Sequence, residues 1–131
     1  MEVTRIFSFD SAHFLTNYHG KCENIHGHTY KLEITVEGPV SENGLLLDFT
    51  ILKNIVEKRI IDKLDHKSLN DIIDNPSAEN ISIWAWNELT KSGDLLAGEI
   101  DKNLPKSRKK VKLKKIRLWE SSNSYVTYYG K

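Results

Sequence analysis

The stretch from His26 to Glu37 constrains the fold of this chain more than any other. Tyr30, Leu32, Ile34 and Val36 alternate with Thr29, Lys31, Glu33, Thr35 and Glu37. Side chains on an extended strand point to opposite faces in turn, so this is an antiparallel strand with one covered and one wet face. Gly38-Pro39 ends it. Carrying the apolar parity back from Tyr30 reaches His28 and His26. An earlier strand, Val3 to His13, has Val3, Phe7 and Phe9 on one parity and Thr4, Ser8 and Asp10 on the other, with Arg5 and Ile6 interrupting the pattern. Carried forward from Phe9, its apolar parity reaches Ser11 and His13. Any one His-x-His pair is also what ordinary hydrogen-bonded histidines look like. Here strand parity brings three imidazoles to one covered face near one end of the sheet, a ligand set for a zinc-like cation.

The rest of the chain builds around those strands. Ile51, Leu52, Ile55, Val56, Ile60, Ile61 and Leu64 keep helical spacing. Asp48 or Thr50 caps that helix, and it ends near Asp65-His66. Asn75-Pro76-Ser77 opens a second helix with Ser77 as N-cap, reaching about Asn103. Lys106 to Lys115 is a basic run whose expected role is a solvated loop and strand edge. Alternation resumes at Val111 and Leu113, slips at Lys114-Lys115 and restarts with Ile116 and Leu118, which predicts a β-bulge. Glu120 then falls on the apolar parity. A carboxylate there needs a partner, so it is a ligand-binding candidate. Tyr125 to Tyr129 supplies the last strand. The order ββααββ predicts an α+β fold, a four-stranded antiparallel sheet with two helices on one face. The uncovered sheet face would line a wet cavity if several copies closed their sheets into a barrel.

Composition narrows the function. At 131 residues the chain has room for one domain, 1–131. A net charge of +1 gives no global pull toward nucleic acid or anionic membrane. RNA binding through Lys106–Lys115 lacks interleaved aromatics and a known module. The single cysteine, Cys22, cannot form an internal disulfide and fits a reducing compartment. With no signal peptide pattern and no apolar run of membrane-spanning length, a cytoplasmic protein without nucleic-acid or membrane partners is expected.

Six motifs now stand in order: Phe9-Asp10-Ser11-Ala12-His13, Cys22-Glu23-Asn24-Ile25-His26-Gly27-His28-Thr29-Tyr30, Leu47-Asp48-Phe49, Leu64-Asp65-His66 with Leu69-Asn70, Pro76-Ser77-Ala78-Glu79-Asn80, and Trp119-Glu120. Together they resemble the 6-pyruvoyltetrahydropterin and 6-carboxytetrahydropterin synthase family, and they cover most of the length. The resemblance implies a tunnelling fold whose trimer closes a β-barrel, two trimers stacking as a homohexamer. It implies Zn2+ on His13, His26 and His28, and Cys22 as catalytic thiol assisted by Asp65 and His66. Glu120 would anchor the pterin ring, with Glu79 and Ser77 also at the substrate. Family members usually carry Thr where Ser77 stands, a change that keeps the hydroxyl.

The spacing of Cys22 to His26 resembles the carboxy, queuosine-pathway branch; the pyruvoyl branch carries a longer gap. The implied reaction converts 7,8-dihydroneopterin triphosphate to 6-carboxytetrahydropterin, releasing acetaldehyde and triphosphate. One alternative is the pyruvoyl synthase reaction, which eliminates triphosphate only. Another is a non-catalytic zinc-stabilised module in which Cys22 closes the site as fourth ligand. Asp65-His66 has a second reading as a helix C-terminal cap, and because adjacent residues do not meet within a regular helix, a turn is expected there.

Overall fold

A computed structural model describes residues 1–16, 24–101 and 111–131. Strands β1 (Glu2–His13) and β2 (His26–Glu37) pair antiparallel along their whole length, from Glu2 opposite Glu37 to His13 opposite His26. The alternation in β1 is unbroken: Ile6 lies exposed on the open face, and Arg5 sends its guanidinium out to donate to the Phe49 carbonyl (3.4 Å). The interruption at Arg5-Ile6 is therefore one of residue type, not of backbone.

The helix α1 (Phe49–Val56) starts where the Asp48 carboxylate accepts the Thr50 N–H (2.8 Å), which assigns the cap to Asp48. It continues through a π turn (Glu57–Ile61) and a last α turn (Asp62–Leu64). Chain direction then changes at His66, whose φ of 57° is left-handed, so the expected turn falls at Asp65-His66. Beyond it, β3 (Lys67–Ser68) lies parallel to β1 opposite Ser11 and Ala12. The sheet thus has five strands, order β3-β1-β2-β4-β5, rather than the four expected. Two residues are too short to carry a period, which is why β3 leaves no trace in the alternation. A 3-10 turn (Leu69–Asp71) leads to the long helix α2 (Ala78–Asp101).

Strands β4 (Lys112–Ser121) and β5 (Ser124–Tyr128) complete the sheet. Thr35 pairs with Lys115 but Val36 with Leu113, so Lys114 is the extra residue of a bulge where the alternation slipped. A second irregularity, against β5, falls at Glu120. The covered face carries Phe9, Tyr30, Leu32, Ile34, Ile116 and Leu118, buried against Leu52, Val56, Ile60 and Leu64 of the α1 segment and Ile81, Ala85 and Leu89 of α2. On the open face Lys31 sits over Trp119 (4.3 Å) and Arg117 over Tyr125 (4.4 Å). Of the basic run, Lys112 and Lys114 contact Glu37 and Lys115 contacts Glu2; Lys106 to Lys110 lie outside the described residues. Among the described residues no helix is long and apolar enough to cross a membrane.

Candidate metal centre and active site

The β1–β2 register puts His13 directly opposite His26, with His28 two residues further on the same face. The three rings meet edge to face, with centroids 4.5, 5.0 and 4.8 Å apart, and one nitrogen from each lies within 4.8 Å of the others. Their tautomers follow from their partners. His13 Nδ1 faces the Pro76 carbonyl (2.7 Å) and His26 Nδ1 the Asn24 carbonyl (2.7 Å). A carbonyl only accepts, so in each neutral ring Nδ1 carries the proton and Nε2 a bare lone pair. Those two Nε2 atoms point at each other across 3.0 Å, where two lone pairs repel unless a cation lies between them. Two nitrogens bound at 2.0–2.1 Å to a tetrahedral zinc stand about 3.3 Å apart, close to the observed gap.

His28 adds an independent sign. Its Nε2 is sealed from solvent and has no hydrogen-bond partner. Burial lowers its pKa, with Glu120 opposing and His13 and His26 adding to the shift, so the ring is neutral at pH 7. Glu120 Oε1 stands 3.6 Å from that nitrogen, too long for a hydrogen bond. A buried neutral nitrogen without a partner is a donor atom for a metal. The three residues thus fit a cation, with backbone carbonyls orienting two of them in the manner of outer-shell groups at metal sites. Tyr30 is fully buried beside them, 5.4 Å from the His28 ring, and its hydroxyl is likewise unpartnered. Burial, then the Glu120 charge, pushes its pKa up, so the phenol stays protonated.

Asp65 and His66 gather elsewhere. They form a second group with Asp10, whose side chain has the opposite parity to Ser11 and His13. Asp65 Oδ1 accepts the Asp10 N–H (2.9 Å), the Asp10 carbonyl accepts the His66 N–H (2.6 Å), and the Thr29 hydroxyl donates to Asp10 Oδ1 (2.5 Å). His66 Nδ1 lies 3.0 Å from Asp65 Oδ2. The Asp10 N–H and then His66 hold the Asp65 carboxyl below its ordinary range. An open cleft of about 590 Å³ runs past Asp10, Ala12, Gly27, His28, Thr29 and His66. Within one chain, then, the dyad gathers around Asp10 rather than around the three histidines.

The remaining predicted residues divide. Glu79 and Glu120 line one cavity of about 180 Å³ together with Ser124 and Tyr125. The Ser77 hydroxyl accepts the Asn80 N–H (3.1 Å) and so caps α2. Cys22 lies outside the described residues. Sequence reasoning passed over Tyr30, which looked like ordinary core, and Asp10, which looked like a solvent-face residue. It also passed over Asn70 and Asn75, for which the Asn-Pro turn signal was the one available hint.

A mixed sheet, antiparallel except at β3, whose covered face ends in three converging imidazoles with a carboxylate at their edge, defines a small α+β protein with a metal-competent site. The chain belongs to the 6-pyruvoyl tetrahydropterin synthase family, whose sequence profile matches residues 2–131. It is 40% identical over 115 residues to dihydroneopterin monophosphate aldolase of Pyrococcus furiosus, covering 88% of this chain and 85% of that protein. It is 33% identical over 137 residues to 6-carboxy-5,6,7,8-tetrahydropterin synthase of Haemophilus influenzae, covering 97% of each. Its fold matches 6-pyruvoyl tetrahydropterin synthase of Caenorhabditis elegans with a TM-score of 0.73 at 23% identity, over 100% of this chain and 96% of that one. Members of the family are pterin-processing enzymes of the lyase type.

Proposed function

We propose that the chain is a zinc-dependent 6-carboxytetrahydropterin synthase. It converts 7,8-dihydroneopterin triphosphate to 6-carboxy-5,6,7,8-tetrahydropterin, with release of acetaldehyde and triphosphate. The carrying observation is the pair of bare Nε2 atoms on His13 and His26 facing each other at 3.0 Å beside the unpartnered Nε2 of His28. The Haemophilus relative, matched over nearly its whole length, supports the carboxy reaction. So does the short Cys22–His26 spacing.

His13, His26 and His28 would hold the ion. A zinc ion on three neutral imidazoles keeps an open position and makes oxygens bound there more acidic. Glu120 lies at the edge of that cluster and lines a cavity with Glu79. Its carboxylate can accept two parallel N–H bonds from the guanidine-like edge of a pterin, which fixes the ring's orientation. The Asp65 carboxylate takes the Nδ1–H of His66 and so directs the far ring nitrogen outward as a proton acceptor. Cys22 would serve as the base at the carbon beside the ring, a role that positive charge favours by making a thiol more acidic. The Ser77 hydroxyl accepts from the Asn80 N–H and would donate its own proton to substrate. Because Asp65 and His66 group with Asp10 rather than with their own chain's histidines, the reading calls for a site shared between copies. A trimer closing its sheets into a barrel, doubled to a homohexamer, brings the dyad of one copy to the metal centre of the next. Among the described residues the edge of β1 below Asp10 has no strand partner, so such closure would begin there.

A second reading is favoured by the Pyrococcus relative, whose name describes an aldolase acting on dihydroneopterin monophosphate. A third, triphosphate elimination without carbon–carbon cleavage, is favoured by the family's own description. Incubating the zinc-loaded protein with 7,8-dihydroneopterin triphosphate and, separately, with the monophosphate separates all three by mass. Acetaldehyde with 6-carboxytetrahydropterin is expected from the triphosphate. A retained three-carbon side chain selects the pyruvoyl reaction, and 6-hydroxymethyldihydropterin from the monophosphate selects the aldolase.

A further inference from the structure

β2 begins at His26, opposite His13, so β1 loses its backbone partner on that side immediately after the first histidine. The chain does not go unheld. The Asn70 carboxamide takes over the role of a strand: its Oδ1 accepts the Phe14 N–H (2.9 Å) and its Nδ2 donates to the Phe14 carbonyl (2.9 Å). Two residues on, Asn75 Oδ1 accepts the Thr16 N–H (2.9 Å). The next residue, Pro76, offers the carbonyl that fixes the proton on His13 Nδ1. Asn75 holds a φ of 46°, a left-handed conformation that asparagine tolerates better than most residues. Its own carbonyl accepts both the Asn80 side-chain amide (2.8 Å) and the Ser77 N–H (2.8 Å), which ties the turn to the first turn of α2.

We propose that Asn70 and Asn75 are positioning residues of the metal centre. Their side chains seat the backbone that follows His13 and aim the Pro76 carbonyl at its ring, so that His13 presents Nε2 toward His26. No sequence motif requires this pairing. It arises because three separate elements, the end of β1, the turn after β3 and the start of α2, exchange hydrogen bonds around one buried imidazole. The inference rests on the reading of His13, His26 and His28 as metal ligands.

Co2+ titration of the full-length, metal-stripped protein tests both, since tetrahedral Co2+ has intense visible bands that report ligand geometry without turnover. Asn75→Gly keeps the left-handed backbone accessible and removes only the acceptor. Asn70→Ala removes the pairing with Phe14. Both are expected to weaken Co2+ binding about 10–100-fold, the usual cost of losing an outer-shell partner, and to alter the bands. Asn75→Asp, which retains the acceptor, is expected to restore most of the affinity. A purely structural role would lower the melting temperature and leave affinity and bands at low temperature unchanged; that result in both variants overturns the inference. Should Asn75→Gly fail to fold, Asn70→Ala alone decides it. Absence of tetrahedral Co2+ in the unmodified protein, or its persistence in His26→Ala, overturns the metal reading instead.

Discussion

His13, His26 and His28 on the covered face of the sheet, and Asp10, Asp65 and His66 at its open side, are equally compact groups of metal-competent side chains. They differ in what they still lack. In the open group Asp65 and Asp10 accept hydrogen bonds from main chain and side chain alike, and the His66 ring is 78% exposed, so water completes it. The covered group has two lone pairs facing each other in a part-buried contact and one nitrogen sealed from water with no partner. Burial makes the difference: an unsatisfied polar atom costs about 1–3 kcal/mol when water cannot reach it and almost nothing when it can. Proximity alone thus does not identify a metal site; proximity with unmet demand does.

The largest effect that could break this contrast comes from the covered side. His26→Ala should reduce bound zinc to background and turnover by at least about a hundredfold, more than the loss of an outer-shell partner would cost; elemental analysis and product assay check both. If His26→Ala keeps its zinc while an Asp10 variant loses it, the assignment of the two faces is reversed. A smaller effect belongs to the open side. His66→Ala should retain zinc and lose about 10²–10⁴-fold in kcat, the range of a general acid–base group. Mixing the two inactive variants after joint unfolding and refolding sharpens the comparison further. Recovery of part of the activity is expected if one copy's dyad serves another copy's histidines, and none if each chain works alone.

The two faces were also unequally legible. Parity along β1 and β2 places His13, His26 and His28 together without any knowledge of the loops, because a strand's period of two carries over any number of residues. The Lys114 bulge and the side of Glu120 follow from the same period. Asp65-His66 is different. Its place depends on a left-handed residue at the end of α1 and on a two-residue strand, neither of which has a periodic signature. Adjacency in sequence gave the dyad its partners in chemistry but not its sheet face. Tyr30 was legible as core and illegible as an orphaned hydroxyl, since only packing reveals whether a buried phenol finds an acceptor. The hold of Asn70 and Asn75 on the chain after His13 spans more than fifty residues, and the Asn-Pro turn signal gives a turn but not that partner.

The smallest expected effect separates the faces by pH in the metal-free protein. Asp65 has its pKa lowered from 3.8, chiefly by the Asp10 N–H. The unfolded chain takes up its proton first as pH falls, so the stability Asp65 contributes is complete above 3.8 and is lost as pH drops through the lower folded value. His28 is also lowered, from 6.5, chiefly by burial. By the same sign its contribution is complete above 6.5 and drains away below it, more than two pH units earlier. Urea midpoints measured from pH 8 to pH 3 should therefore show two descents. Asp65→Asn should flatten only the lower one and His28→Asn only the upper. If Asp65→Asn, made with His66 already replaced by Ala, changes the slope near pH 6 instead, the carboxylate and the three histidines share one environment, and the separation of the two groups within a single chain is wrong.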